Sequence, residues 1–583
     1  MAICPSNKID SNITGLRYAV ERCLGQLPPA PIWLALEPNS YSDFGSTITT
    51  VARNPINPSR QRRKGVVTDL EASGGFNQDV TFDNTNALYQ GFLFAQARER
   101  GTTKSLAFGD LNVVDVDGPT GEYTFNNAKV NASAVAGGGA GYRVGDLLTV
   151  TGSAQRAARL YVSAVSGSGA ITAVAVDDAG VYGILPANPV AVTGGAGAGA
   201  TFNLTAGSIK TFRVGDVVLA QGFANDANNG LKVVDTYASG VVGVAEAVVD
   251  EMAPPAGASL QTVGYRFAAA DLSVTMNGLL PRLTNEAAVD FTTLGFIAGE
   301  WVYIDGLTNN SGFARISTID AGYLEFDKTD FVPAAESEVG KTVTLFLGTI
   351  IRNENDPALI KRYSYQFERT LGNDVDGPMS EYLIGAVASE LTLNVPQAEK
   401  VTVDVTFMGI DGEPRTGLQG LKAGSRPVLP LSDAFNTSSD FSRIKIASVS
   451  ATDPMPRPLF AFPTDLTLTI SNNVSANKAI GKLGAIDITV GTFEVGGSVT
   501  AYFADMAAVQ AVRNNEDITM DFIIVKANTG LLFDIPLLAL GNGRLAVEQD
   551  QPITLPLDTS AAESKFGNTL LIQIFPYLPN SAG

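Results

Sequence analysis

Apolar and polar positions alternate along this chain in short runs, and the cleanest run lies between residues 381 and 409. Leu391, Leu393, Val395, Val401, Val403, Val405 and Phe407 can share one face, while Glu390, Thr392, Asn394, Thr402, Asp404 and Thr406 take the other. A period of two with one dry and one wet face predicts an antiparallel hairpin. A hairpin is also predicted over 65–82. There Val66, Thr68 and Leu70 alternate with Val67, Asp69 and Glu71, and Gly74-Gly75 supplies the turn. Helical spacing follows at 84–99, with Leu88, Phe92 and Ala95 on one face. The first 30 residues read as an arm with one short helix. Asn12 or Thr14 caps it, Leu16, Ala19, Val20, Cys23 and Leu24 form its stripe, and Pro28-Pro29 ends it.

Internal repeats organise the rest. AGYRVGDLLTVTGSAQRAARLYVSAV (140–165) is answered by AGVYGILPANPVAVTGGAGAGATFNLTA (179–206), both inside a Gly-, Ala- and Val-rich stretch. FRVGDVVLAQGFANDANNGLKVVDTYASGVVGV (212–244) matches FIAGEWVYIDGLTNNSGFARISTIDAGYLEF (296–326), each with a Gly-acid turn and an Asn-rich turn. The segment 65–82 with its helix returns as GAIDITVGTFEVGGSVTAYF (484–503) with ADMAAVQAVRNN, and the hairpin at 381–409 returns at 537–560. The expected fold is therefore mainly β: two tandem β-sandwich domains, each with a short helix, the first interrupted by inserted small β modules. The implied division is an N-terminal arm at 1–30, a first domain at 31–125 and 346–425, a Gly-rich insertion at 126–206, two small modules at 207–345, and a second domain at 426–583.

Composition narrows the function. The net charge of −19 should repel nucleic acid, so DNA is expected only as non-specific cargo. The chain has no histidine, which removes histidine bases, Ser-His and Cys-His pairs, and His-bearing zinc sites. No carboxylate pair is singled out by motif, so no enzyme, metal or cofactor is expected. Asp226, Asn228 and Asn229 could imitate a calcium loop, but Asn and Asp at turns have ordinary backbone reasons. GGAGAGA at 194–200 joins strand to strand and opens no helix, so it is not a phosphate loop. Cys4 and Cys23 are either two reduced thiols or the makings of a disulfide or inter-subunit crosslink formed after release. Nothing approaches the roughly 18 apolar residues that span a bilayer, and the start lacks a signal-peptide layout.

Two four-stranded units leave open edges, and closing a ring across subunits would remove them. The wet face, with Asp69, Glu71, Glu390, Asp404 and Asp487, would then line a lumen; otherwise it is the solvent face of ordinary sandwiches. A polar, Pro-rich arm leads into the 65–82 hairpin, and in it Arg53, Arg60, Arg62, Arg63 and Lys64 form the one basic cluster of an acidic chain. It reads as a contact to an acidic neighbouring subunit, a solvated loop, or a nucleic-acid patch.

LEPNSYSDFG, ARNPINPSRQRRKG and DLEASGGFNQD (36–79) resemble the N-terminal signature of the major tail tube proteins of long-tailed bacteriophages. GTIIRNENDPALIKRYSYQFERTLGN (348–373) and ALGNGRLAVEQDQPITLPLDT are similar as well. The resemblance covers roughly 30–110 and 290–583; the Gly-rich module departs from it and looks like a decoration. It implies stacked rings with a pooled inner β-barrel for genome passage, arms bridging rings, a tape-measure protein inside, and tail terminator and tail-tip partners. It also implies synthesis in the host cytoplasm and residence in the virion tail. Two domains per chain would give trimeric rings with pseudo-sixfold symmetry. The principal rival is a β-rich tail adhesin or decoration protein that binds host surface glycans; a glycosidase and a contractile-tail inner tube are further alternatives.

Overall fold

The computed structural model describes residues 13–582 apart from 55, 57, 59, 106–109, 268–271, 286–288, 338–341, 429–431 and 460–461. It is mainly β, with two α-helices among the described residues: α1 (Asn86–Leu93) and α2 (Ala507–Asn514).

Eight strands build the centre. In chain order they are β1 (Pro38–Arg53), β2 (Arg63–Asp79), β3 (Gly377–Pro396), β4 (Thr402–Gly409), β5 (Pro463–Ser471), β6 (Glu494–Tyr502), β7 (Thr529–Asn542) and β8 (Thr554–Ala561). They pair antiparallel in the spatial order β1-β2-β4-β3-β5-β6-β8-β7. The first four and the last four therefore repeat one arrangement, and β3 joins β5 between the halves.

The flanking strands repeat too. Gly15–Val20 pairs Tyr365–Asp374, which pairs the first half of β3; Phe441–Ser448 pairs Ile518–Lys526, which pairs the first half of β7. Asp411–Arg415 and Leu571–Phe575 flank the opposite edges of those same half-strands. Alternation explains the placement: Leu391 and Leu393 of β3, Val403 and Val405 of β4, and Leu466, Leu468 and Ile470 of β5 are buried on one face. One hydrophobic core runs under both halves. α1 and α2 cover it, with the Phe92 ring 5.3 Å from Phe407 and Tyr89 6.1 Å from Phe533.

Three expectations are corrected. Residues 15–20 form a strand, not a helix: Leu16 and Tyr18 alternate into the core, and this period of two wins over the helical stripe. Asn12 and Cys4 lie outside the described residues. Gly74-Gly75 is not a turn, for β2 runs straight through it. A Cβ on Gly75 would lie 2.8 Å from the Val405 carbonyl oxygen of the neighbouring strand, and one on Gly74 2.8 Å from Leu383 Cδ2, so these glycines permit close approach of backbone and side chains. The hairpin connection falls between Arg53 and Arg63 instead. In the later copy, Ala485–Thr489 pairs with Ser475–Lys478 in a separate two-stranded ribbon and not with β6.

Between α1 and Tyr365–Asp374 the chain inserts a six-stranded and a fourteen-stranded sheet. One turn recurs three times in them, at Arg143–Asp146, Arg213–Asp216 and Ile297–Glu300. In each, the acidic side chain accepts the N–H three residues back, at 3.0, 2.8 and 3.1 Å. In each, the preceding glycine is left-handed and donates its N–H to a carbonyl on a neighbouring strand, at 2.9, 2.9 and 2.8 Å. One small β unit thus underlies both inserted sheets. The Asn-rich turns of the later two copies also match: the Asn228 and Asn310 side chains each bracket a neighbouring strand and donate to Glu251 and Glu336.

Burial pushes the Asp216 carboxyl up to about 6, against the N–H of Arg213 and the nearby guanidinium groups that draw it down. The native state then binds more protons than the unfolded chain between about pH 4 and 6. The contribution of Asp216 is most favourable below its unfolded value and is lost as pH rises through about 6. Thermal unfolding at pH 5 and pH 7 should show a smaller pH effect in Asp216→Asn than in the native chain, because Asn retains the acceptor without the charge. Equal pH dependence would remove Asp216 as its source.

Candidate assembly surfaces

The face of the eight-stranded sheet that is turned away from the core is polar and anionic. Glu390, Asp404, Asp465, Glu494 and Asp558 are exposed. The Asp404 carboxylate accepts from Asn77 at 2.9 Å and from Asn394 at 2.7 Å. Hydroxyls link neighbouring strands, Thr392 to Thr469 across the midline at 3.2 Å and Thr467 to Ser498 within the second half at 2.9 Å. The basic residues of the eight strands, Arg53, Arg63 and Lys64, all sit at one extremity. A field of one sign on a hydroxyl-rich surface repels polyanions without offering them a cationic foothold.

Asp69 and Glu71 lie on the same face of β2 as Asn77, further out. Lys478, from the Ser475–Lys478 ribbon, pairs with Asp69 and reaches Glu71 at 3.3 Å. That hydrogen bond holds the Asp69 carboxyl below the usual range. Asp487 is not on the eight-stranded sheet; it lies on the ribbon strand Ala485–Thr489 and pairs with Arg362 at 3.0 Å.

Beyond Ser46 and Ala72, β1 and β2 leave the body as a two-stranded ribbon. Ile48, Val51, Val66 and Val67 are 53, 53, 55 and 51% exposed. A lone ribbon with both faces wet is marginal in water. At its end Arg53 stands directly opposite Arg63, an arrangement of like charges that destabilises a strand pair. Arg60 and Arg62 are exposed beside them. The basic cluster is therefore the tip of a projecting arm.

By strand direction, the other end of the sheet holds Asp79, the β3–β4 turn, the start of β5 and the β7–β8 turn. Glu399, Asp465, Glu548 and Asp550 are exposed there. Lys400 and Arg544 are exposed there as well, which leaves that end acidic in balance and opposite in charge to the arm tip.

Sequence reasoning missed the junction between insertion and sheet. It is formed by buried charges: Arg315 meets Asp327 at 2.8 Å and Asp534 at 3.1 Å, while Lys328 and Arg443 both pair with Asp521. Gln573 brackets the Trp301 backbone, accepting its N–H at 3.0 Å and donating to its carbonyl at 2.6 Å. The insertion interrupts the first unit yet docks on strands of the second. Charged residues normally mark surface, so the only available signal was their clustering in otherwise apolar strands.

Among the described residues no group of three His, Cys, Asp or Glu side chains is placed to hold a metal. Asn228 and Asn229 are engaged with backbone groups of their own module. Cys23 is exposed and donates to Gln26. No helix of the described residues is long and apolar enough to cross a membrane.

A family model described as phage tail tube protein matches residues 253–561, more than half of the chain. No curated protein matches it.

Proposed function

The chain belongs to the phage tail tube protein family, and from that premise we propose that three copies close into a ring whose inner wall is the polar face of the eight-stranded sheet. As a member it is a structural protein of the virion tail that associates with itself. The observation that carries the trimer is the repeated β1-β2-β4-β3 and β5-β6-β8-β7 order, which leaves β1 and β7 as the two ends of an open sheet.

Size favours three. At about 4.8 Å per strand, pooling the strands of three copies gives a backbone circumference on the order of 115 Å, about 37 Å across before strand tilt. Side chains reaching about 5 Å inward leave roughly 27 Å, whereas two copies leave roughly 14 Å, too narrow for a duplex. Glu390 and Asp404 would line this channel, with Asp69 and Glu71 toward its armed end, so that DNA passes as non-specific cargo; Asp487, on the separate ribbon and paired with Arg362, would not. Each subunit junction should bury more than about 2,000 Å², as in obligate assemblies.

Rings then stack head to tail, the basic arm of one meeting the acidic end of the next, a heterologous contact that propagates an open tube. A tape-measure protein inside, terminator and tip proteins at the ends, and assembly in the host cytoplasm complete the reading. The chain needs no catalytic role. Electron microscopy of purified protein tests it: hollow tubes with threefold class averages are expected. Sixfold rings would overturn the trimer, and particles that never stack would overturn the tube.

A further inference from the structure

The ring reading leaves β1 and β7 as partners in different copies, and the chain holds a template for that contact. At the internal junction β3 and β5 pair without interruption from Glu390↔Ser471 to Pro396↔Asp465. β7 occupies in the second unit the place of β3, and β1 occupies in the first the place of β5. Flanked on both sides, β3 stays a strand up to its turn. β7, flanked on one side only, stops at Asn542, although the chain runs on to Glu548 before the next turn at Gln549-Asp550. Two contacts tie that segment to β8: the Gly543 N–H donates to the Pro556 carbonyl at 3.3 Å, and Ala546 bridges Thr554 at 2.8 and 3.2 Å.

The cause of the stop is on the backbone. Asn542 and Gly543 are both left-handed, with φ of 63° and 74°, and turn the chain off the strand path. Within β3 only Gly377 and Gly385, both before the junction, have positive φ. The kink is seated on α2, where a Cβ on Gly543 would meet Val512 Cγ1 at 3.3 Å. Past it Leu545 and Val547 are exposed, at 38 and 69%. An open edge bent away by a local kink is a known guard against edge-to-edge aggregation.

We infer that residues 543–548 are a latent strand, kept unformed in the free subunit by the Asn542-Gly543 kink and completed when β1 of a second copy pairs along it. The occupant of the β7 edge is residues 38–46 of the next copy, in the relation that β5 bears to β3. The same template gives the arm a lateral contact. Tyr41 and Leu466 hold equivalent places opposite Phe76 and Val499, and Arg53 and Lys478 each stand twelve residues further on. Lys478 reaches Glu71 within the chain, so Arg53 should reach Glu494 of the neighbouring copy.

This inference rests on the ring reading, and hydrogen exchange on free subunits and on assembled tubes separates the two. In the free subunit the amides of 543–548, Gly543 and Ala546 excepted, should exchange near the rate of unstructured chain; in tubes they should slow by at least about tenfold, together with those of 38–46. Gly543→Val, whose branched side chain disfavours positive φ, should lower the protein concentration at which tubes appear. Tubes in which 543–548 exchange as fast as in the subunit would overturn the latent strand and leave the tube reading standing. Absence of any tube would remove both. A Gly543→Val chain that folds, binds the tube end and needs the native concentration would overturn the kink as the guard.

Discussion

Replacing Asp521 by Ala should cost about 3–5 kcal/mol, among the largest penalties available to a single substitution in this chain. Asp521 is fully buried and accepts from both Lys328 and Arg443, whose side chains are 2% and 8% exposed. Burial alone would raise its carboxyl; the two cations outweigh burial and hold it well below the usual carboxylate range. The contribution is therefore present above the unfolded value near 4 and is lost only as pH falls through the much lower folded value. Removing the carboxylate leaves Lys328 with only Asp534 at 3.7 Å and Arg443 with no acidic partner in reach, both against the Trp301 ring. Denaturant melts followed by Trp fluorescence should show the inserted sheets separating before the main sheet. The combined Lys328→Met, Asp521→Leu, Arg443→Met variant should recover much of the loss, because an apolar replacement strands no charge. A loss below about 1 kcal/mol in Asp521→Ala would mean that the insertion is held by its apolar contacts alone.

Deleting the arm should greatly weaken tube assembly while sparing the subunit. Residues 48–70 contribute almost nothing to the core, Leu70 excepted, and Thr47 already faces Glu71 across the ribbon, so a two-residue Asn-Gly turn can close β1 onto β2. The melting profile should stay close to native. Assembly should need roughly a hundredfold more protein, equivalent to about 3 kcal/mol per subunit contact. Arg53→Glu with Arg63→Glu is the milder test. It should weaken assembly at low salt and do so less at high salt, since screening removes most of an exposed charge contact. Normal tubes from the armless chain would place the stacking contact elsewhere.

The parts of the fold that were legible in the sequence are those with one dry face. β3 and β4 show their period of two because Leu391, Leu393, Val403 and Val405 each point into the same core. The duplicated order was legible for the same reason. The arm was legible as a polar segment but not as a pair of long strands, because a ribbon wet on both sides has no hydrophobic period to mark Thr47 to Val51 as the partner of Val66 to Glu71. Gly74-Gly75 misled because a glycine needed for close packing and one needed for a turn look alike. Residues 15–20 misled because a run so short fits both periods. The third copy of the inserted turn was visible as the identical Arg-Val-Gly-Asp at 143–146 and 213–216, lying across two different repeats. The buried ion network left only its charges, and charge by itself signals solvent. Among the site residues, Glu390 and Asp404 could be placed from alternation alone, whereas Asp487 went astray with the mispaired strand that carries it.

The two projecting ribbons differ in length: β1 and β2 extend to Arg53 and Arg63, while their counterpart is only Ser475–Lys478 with Ala485–Thr489. Were they equal, a ring of three such chains could seat on the next in six rotational settings sixty degrees apart, half of them facing a first unit with a second. Unequal ribbons act as a key. In the proposed trimer they would leave three equivalent settings, so every ring would inherit the angular phase of the one beneath it, and the inserted sheets, attached to one unit in two, would trace three continuous ridges along the tail.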